Sequence, residues 1–282
     1  MIQSIGVVGS GTMGNGIAQT FAQHEFAVTL VDVSPAALER AKTAIGRSLG
    51  KFVEKGTLTA ADRDATLGRL SWHGSIDALA DAHYIVEAIV EQRDAKRALF
   101  AKLDALAGAD VILATNTSSI SITDIAAATQ RPSQVLGMHF MNPVPLMPLV
   151  ELIRGQATSD ASMAVAEHLC RQLRKTGIAA NDYPGFIANR ILMPMINEAV
   201  FALMEGVGTA EAIDSVMKLG MNHPMGPLAL ADFIGLDVCL AILDVLHQGL
   251  GDPKYRACPL LRRLVAAGHL GRKSGQGFYS YA

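Results

Sequence analysis

The sequence predicts a doubly wound α/β domain with a mostly parallel sheet, followed by an all-helical domain. Apolar runs of strand length alternate with stretches of helical periodicity, as they do in strand–helix–strand crossover units. The runs are almost continuous in Val, Ile and Leu, which is typical of strands covered by helices on both faces. After the Tyr-Pro-Gly sequence at 183–185 the periodic stretches are helical, so we expect the sheet to end there.

The chain has 282 residues, enough for about two domains. We expect a first domain over 1–183 and a helical domain over 184–282. The expected strands, with a weaker candidate near Leu70, are 5–8, 28–31, 84–86, 111–114, 135–138 and 149–153. Helical stretches at 35–55 and 60–67 interrupt the alternation as an inserted hairpin over about 35–67, and such insertions often carry a binding function. The expected helices of the second domain are 186–205, 210–219, 228–249 and 259–267.

The composition favours a soluble, cytoplasmic protein that binds neither nucleic acid nor a membrane. Lys and Arg number 24 against 26 for Asp and Glu, a net charge of −2 that offers no basic excess for a phosphate backbone. The most apolar helical stretch, 228–246, is interrupted by aspartates, which argues against a membrane span. Residues 1–9 look like a strand rather than an export signal. The 3 cysteines lack CxxC spacing, so neither a disulfide framework nor a metal site is expected.

A glycine-rich turn follows the first expected strand and opens the next helix. Its residues are Gly9, Ser10, Gly11, Thr12, Met13 and Gly14. In this GxGxxG pattern the first glycine makes a tight turn, the second lets a pyrophosphate approach the backbone, and the third lets helix and strand pack closely. The N–H groups at the helix start then face the phosphates. The first domain is therefore expected to be Rossmann-like, with a dinucleotide held at residues 9–14.

An acidic residue ends the second expected strand. Asp32 lies 18 residues beyond Gly14 (32 − 14), where a carboxylate accepts hydrogen bonds from the adenine-ribose hydroxyls. A carboxylate there also repels a 2′-phosphate, so the sequence favours NAD over NADP.

Polar residues follow the later strands, at the sheet edge where ligands of such folds bind. Residues 116–119 (Asn-Thr-Ser-Ser) follow one strand, His139 follows the next, and Glu151 lies in the run after that. Oxidation of a secondary alcohol needs a base for the hydroxyl proton, and an imidazole titrates near neutral pH. His139 is therefore the candidate base, with His223 its only rival. We expect Ser118 and Glu151 to converge with it, Glu151 fixing the imidazole tautomer.

Two features lie outside this constellation. Arg47, Lys51 and Lys55 form one basic face on the inserted hairpin, which is either a solvated surface or a grip for a phosphorylated substrate handle. The expected helix at 186–205 is apolar on more than one face, and its apolar start carries a lone amide, Asn189. Such a helix is expected to be buried against a second subunit.

Six motifs together make the sequence resemble the 3-hydroxyacyl-CoA dehydrogenase family, particularly its short bacterial 3-hydroxybutyryl-CoA members, over nearly the whole chain. They lie at 9–18, 87–91, 115–119, 137–145, 184–190 and 271–279. The resemblance implies NAD-dependent oxidation of an (S)-3-hydroxyacyl-CoA to the 3-ketoacyl-CoA, or the reverse reaction. It also implies a homodimer joined through the helical domain.

The resemblance assigns a role to each matching position. His139 is the base, Glu151 its partner, and Ser118 and Asn189 hold the reacting oxygen. The residues implied at the nicotinamide end of the cofactor cleft are Glu91, Lys96, Asn142 and, from the same strand edge, Asn116 and Ser118. The residues implied to contact coenzyme A are Ser48, Lys51 and Lys55.

Two other functions are compatible with parts of the sequence. A sugar-acid 3-dehydrogenase of the gulonate type shares the histidine and glutamate, but a free acid has no distant phosphates for the basic face at 47–55. A catalytically silent NAD-binding protein needs only the nucleotide site, whereas this chain has Ser118, His139, Glu151 and Asn189 as well. Acyl chain length and the direction of the reaction are left open by the sequence.

Overall fold

The computed structural model describes residues 2–281. The chain divides into two compact units, Met1–Asp182 and Tyr183–Ala282. The sequence places this division one residue later, after Tyr183.

The first unit is built on an eight-stranded sheet with the order β3-β2-β1-β4-β5-β6-β7-β8. The strands are β1 Ser4–Val8, β2 Ala27–Val31, β3 Leu70–His73, β4 Tyr84–Glu87, β5 Ile112–Thr115, β6 Val135–Phe140, β7 Leu149–Arg154 and β8 Thr176–Asn181. The first six run parallel to one another. The strand order reverses between β1 and β4, and ligands of open α/β sheets bind at such a point, outside the carboxyl ends of the strands. The predicted doubly wound, mostly parallel sheet is confirmed.

Two features of the sheet differ from the sequence reading. β7 pairs antiparallel with β6, a direction that the sequence did not predict. Glu151, expected within this strand, lies directly opposite His139 across the ladder. β8, which the sequence analysis did not identify, pairs parallel with β7. Its largely exposed residues at the sheet edge lack the continuous apolar signal of the central strands.

Helices cover the sheet and form the inserted hairpin. They are α1 Thr12–Gln23, α2 Pro35–Glu54, α3 Ala60–Gly68, α4 Arg93–Leu106, α5 Ile122–Ala126 and α6 Asp160–Gln172. In the hairpin, Ser34 caps α2 by accepting a hydrogen bond from the Ala37 N–H, and Thr59 and Asp62 form a capping box at α3. The buried side chains of α1 and α2 join those of β1, β2 and β6 in one apolar core.

The second unit is helical, with α7 Ala188–Met204, α8 Ala210–Gly220, α9 Pro227–Ile234, α10 Leu236–Leu250 and α11 Pro259–Ala266. The single helix expected at 228–249 is wrong, because Gly235 divides it with φ at +106°. That angle lies in a region that favours glycine, and it ends one helix and redirects the next. Among residues 2–281 no helix is long and apolar enough to cross a membrane.

Candidate active site

The glycine-rich turn between β1 and α1 has the shape expected of a dinucleotide site. Gly9 adopts φ at +99°, and a Cβ there would lie 2.5 Å from the Ala88 carbonyl oxygen. A Cβ on Gly14 would lie 1.7 Å from the Gly9 carbonyl oxygen, so close packing excludes a side chain. At Gly11 a Cβ would meet none of the described residues within 4 Å, which leaves open space beside the backbone. The turn therefore fits a pyrophosphate that lies over Gly11 and the start of α1, at Thr12 and Met13.

Asp32 follows β2 beside this turn. Its Oδ2 accepts hydrogen bonds from Ser10 N at 2.9 Å and Ser10 Oγ at 2.8 Å, and its Oδ1 accepts one from Ser34 N at 2.9 Å. Burial raises the pKa of Asp32, but these hydrogen bonds outweigh it and hold the pKa below its ordinary value. Because a carboxylate has about four acceptor positions, an Oδ1 position remains to accept a ribose hydroxyl.

A serine, a histidine and a glutamate form the central hydrogen-bonded array. Ser118 Oγ lies 3.1 Å from His139 Nε2, and His139 Nδ1 lies 2.8 Å from Glu151 Oε2. His139 is 6% and Glu151 2% exposed. Because an ionised carboxylate only accepts hydrogen bonds, Nδ1 carries the proton and Nε2 is an acceptor in the neutral ring. The array therefore has the donor and acceptor pattern of a general base with an orienting partner.

Glu91 holds the loop that carries Ser118. Its Oε1 accepts hydrogen bonds from Ser118 N at 2.9 Å and from Thr117 Oγ1 at 2.5 Å. Ser119 donates to the same oxygen through its N–H and its hydroxyl, each at 3.2 Å. The loop after β5 is thus tied to the segment after β4 by a single carboxylate.

Lys96 lies behind Glu91 and is 1% exposed. Its Nζ lies 3.3 Å from Glu91 Oε2 and 2.5 Å from Glu87 Oε1. Glu87 ends β4 and is itself fully buried. Glu87 was not among the candidate residues expected from the sequence. An acid that ends an otherwise apolar strand, in the run Tyr-Ile-Val-Glu, is the local signal that marks it.

The two asparagines implied at the cofactor cleft differ in surroundings. Asn116 is buried, and its Oδ1 accepts a hydrogen bond from Phe140 N at 2.9 Å, which joins the loop after β5 to the end of β6. Asn142 is exposed in the segment that follows β6. A role in cofactor binding stays a prediction for both.

The remaining candidates lie on the inserted hairpin and in the second unit. Lys51 and Arg47 are exposed on α2, Lys55 is exposed at its C-terminal end, and Ser48 is half-buried beside them. Asn189 belongs to the second unit, where it is buried at the start of α7. Within the first unit the structure therefore brings Ser118, His139 and Glu151 together, and it exposes the basic residues of the hairpin to solvent.

Family models match both units of the chain. Residues 4–183 match the 3-hydroxyacyl-CoA dehydrogenase NAD binding domain, and residues 185–281 match the C-terminal domain of the same family. The chain belongs to the 3-hydroxyacyl-CoA dehydrogenase family. Because residues 4–183 match an NAD binding domain, the cofactor of the first unit is NAD.

Several relatives are similar to this chain over nearly their whole length. A probable 3-hydroxybutyryl-CoA dehydrogenase of Deinococcus radiodurans is 57% identical, and the match covers 98% of this chain and 99% of that protein. A 3-hydroxybutyryl-CoA dehydrogenase of Bradyrhizobium diazoefficiens is 51% identical, and the match covers 100% of this chain and 96% of that protein. The crystal structure of (S)-3-hydroxybutyryl-CoA dehydrogenase from Ralstonia eutropha has a TM-score of 0.97 at 50% identity and covers 100% of both chains.

Proposed function

We propose that this chain oxidises (S)-3-hydroxybutyryl-CoA, or a similarly short (S)-3-hydroxyacyl-CoA, to the 3-ketoacyl-CoA with NAD, and catalyses the reverse reaction. The array of Ser118, His139 and Glu151, at the sheet edge that also carries the dinucleotide turn, is the observation that carries this proposal. The printed names of the similar proteins support the substrate.

His139 is the proposed general base. Its Nε2 takes the proton of the substrate hydroxyl, and Ser118 Oγ, which lies 3.1 Å away, holds the reacting oxygen beside that nitrogen. Glu151 keeps the Nδ1 proton in place and stabilises the imidazolium that forms. Bound NAD⁺ supplies the acceptor for the hydride that leaves the same carbon. In the reverse direction the protonated His139 returns its proton to the carbonyl oxygen. Asn189 is proposed as a second group that holds this oxygen.

The basic face at 47–55 is proposed to bind the phosphates of coenzyme A. Arg47 and Lys51 on α2 and Lys55 directly after it are exposed, which suits a flexible and highly charged handle. This feature favours an acyl-CoA over the free sugar acid of the gulonate-type alternative, which carries no phosphate.

The direct test is an NADH absorbance assay with acetoacetyl-CoA, longer 3-ketoacyl-CoAs and free acetoacetate side by side. We expect turnover of acetoacetyl-CoA and a kcat/KM for the free acid that is lower by at least about tenfold, since the acid forgoes the handle contacts. Equal kcat/KM values for the thioester and the free acid would reject the acyl-CoA assignment. No NADH oxidation with any of them would reject the dehydrogenase.

A homodimer joined through the helical unit, and a cytoplasmic location, remain part of this proposal. One face of α7 packs into the core of its own unit, whereas Ile191 on the same helix is 66% exposed. Val216 and Leu219 on α8 are also exposed. Large exposed apolar side chains on two helices of this unit support a surface that a partner covers. Sedimentation analysis of the wild type and of Ile191→Glu tests the dimer, since we expect the charge to shift the protein toward monomer.

A further inference from the structure

A buried ion pair lies beneath the loop that carries Ser118. Glu87 is 0% and Lys96 1% exposed, and their charged groups lie 2.5 Å apart. Removing two charges from water costs free energy that their attraction does not always return, so a buried pair is weak evidence of stabilisation. Its position at the carboxyl end of β4, where the sheet meets the site, points to a different contribution.

Glu87 has hydrogen-bond donors on both carboxylate oxygens. Besides Lys96, Ile89 N donates to Oε1 at 2.7 Å, and Thr115 Oγ1 donates to Oε2 at 2.6 Å. These partners come from α4, from the segment after β4 and from the end of β5. The carboxylate thereby fixes three neighbouring elements at one point.

Two routes of contact lead from Glu87 to the loop at 116–119. In the first, Lys96 contacts Glu91, and Glu91 accepts the Ser118 N–H. In the second, Thr115 Oγ1 donates to Glu87 and accepts a hydrogen bond from Thr117 N at 3.2 Å. Both routes end within one residue of Ser118, whose hydroxyl lies 3.1 Å from His139 Nε2.

We propose that Glu87 is a positioning residue: through Lys96, Glu91 and Thr115 it holds the 116–119 loop so that Ser118 Oγ stays in register with His139. The proposal rests on the proposed function insofar as Ser118 and His139 act in the reaction. Glu87 itself touches neither substrate nor cofactor in this proposal. Its substitution should therefore affect the rate only through the serine.

A double-mutant cycle of Glu87→Gln and Ser118→Ala separates this role from general destabilisation. In the wild-type background Glu87→Gln should lower kcat for acetoacetyl-CoA reduction about tenfold and change the KM for acetoacetyl-CoA less than about twofold. In the Ser118→Ala background it should lower kcat less than about twofold, since the hydroxyl it positions is gone. Equal fold-losses in the two backgrounds would overturn the proposal.

A matched control is the ion pair of Asp104 and Arg131, which lie 2.6 Å apart and are mostly buried outside the site. Asp104→Asn also removes one charge of a largely buried pair in the first unit. It should lower Tm while leaving kcat within about twofold of wild type. A loss of kcat in this variant as large as that of Glu87→Gln would show that any weakened pair slows the enzyme, and would refute a specific role for Glu87.

Hydrogen–deuterium exchange tests the same idea without any turnover. In Glu87→Gln the amides of Ser118 and Ser119 should exchange at least about tenfold faster than in wild type, and in Asp104→Asn they should not. Unchanged exchange in Glu87→Gln would contradict the proposal. If the wild type fails to reduce acetoacetyl-CoA, the proposed function fails and this readout still decides the loop's dependence on Glu87. Should Glu87→Gln not fold, Thr115→Val breaks the second route and must give the same acceleration.

Discussion

At the scale of single residues, the carboxylates of the candidate site are held in place because each accepts several hydrogen bonds. Glu91 Oε1 is shared among donors from Thr117, Ser118 and Ser119. Asp32 is fixed in the same manner by Ser10 and Ser34. Carboxylates held in this way do not have to reorganise when a ligand binds, which lowers the cost of binding and of catalysis.

Asp32 is expected to select NAD over NADP. A 2′-phosphate would meet a carboxylate that stays ionised well below neutral pH, because hydrogen bonds from Ser10 and Ser34 hold its pKa low. We expect kcat/KM with NADH to exceed that with NADPH by at least about tenfold, and Asp32→Ala to narrow this ratio. Steady-state kinetics with both cofactors measure it, and an unchanged ratio in the variant would remove Asp32 as the selector.

His139→Ala should lower kcat by roughly 10²–10⁴-fold, the range for loss of a positioned general base. The cofactor Kd, measured by NADH fluorescence, should change far less, because the imidazole is not part of the dinucleotide turn. His168→Ala is the matched control, since His168 is an exposed histidine on α6. Near-normal kcat in His139→Ala would exclude the imidazole as the base.

Glu151→Gln and the pH profiles test the orienting carboxylate. The amide keeps the side-chain shape but cannot stabilise an imidazolium, so kcat should fall and the pH profile should move. A base must be neutral for alcohol oxidation and protonated for ketone reduction. The two directions should therefore respond oppositely to pH when hydride transfer limits the rate. The same response in both directions would contradict a shared acid–base group.

At the scale of elements, the inserted hairpin and the antiparallel strand contribute in different ways. Helix α2 presents Arg47 and Lys51 to solvent while Leu38, Ile45 and Leu49 pack into the core. Strand β7 lies between β6 and β8 and is buried on both faces over its central residues. Its register with β6 places Glu151 opposite His139. Helix α2 therefore contributes a charged surface, whereas strand β7 fixes the distance between Glu151 and His139.

Neutralising the basic face should change the KM for acetoacetyl-CoA but not the KM for NADH. Lys51→Ala with Lys55→Ala should raise the KM for acetoacetyl-CoA several-fold and leave the KM for NADH nearly unchanged, because exposed charge contacts contribute on the order of 1 kcal/mol each. Lys102→Ala on α4 removes an exposed lysine away from the hairpin and serves as control. An unmoved KM for acetoacetyl-CoA would make the face a solvated surface only.

At the scale of the whole molecule, carboxylates with lowered pKa values control the response to acid. Hydrogen bonds from Arg93 lower the pKa of Asp124. Burial raises the pKa of Asp237, but the hydrogen bond from Lys273 outweighs burial and lowers it. A lowered folded-state pKa gives stability that is present above the unfolded value of 3.8 and lost as pH falls through the folded value.

The free energy of unfolding should therefore fall as the pH drops below about 4. Asp124→Asn should be less stable than wild type at pH 7 by under about 1 kcal/mol, because Arg93 is largely exposed and solvent screens the pair. The difference should shrink as the pH falls below the unfolded value of 3.8, so it should be smaller at pH 3 than at pH 7. Urea titrations at pH 7 and pH 3 measure the free energy of unfolding of both proteins. A difference between them that is the same at both pH values would show that the charge of Asp124 is not its cause.

The sequence by itself determined the alternation that makes a doubly wound sheet, the glycine turn and the candidate base. These follow from local signals: period, turn chemistry and the position of polar residues after apolar runs. Only the tertiary structure decided that Glu151 faces His139 through an antiparallel pair, that Gly235 divides one apolar helix into two, and that Glu87 and Lys96 lie beneath Glu91. These features depend on contacts between elements that are distant in sequence. The spacing of residues along the chain does not specify such contacts directly.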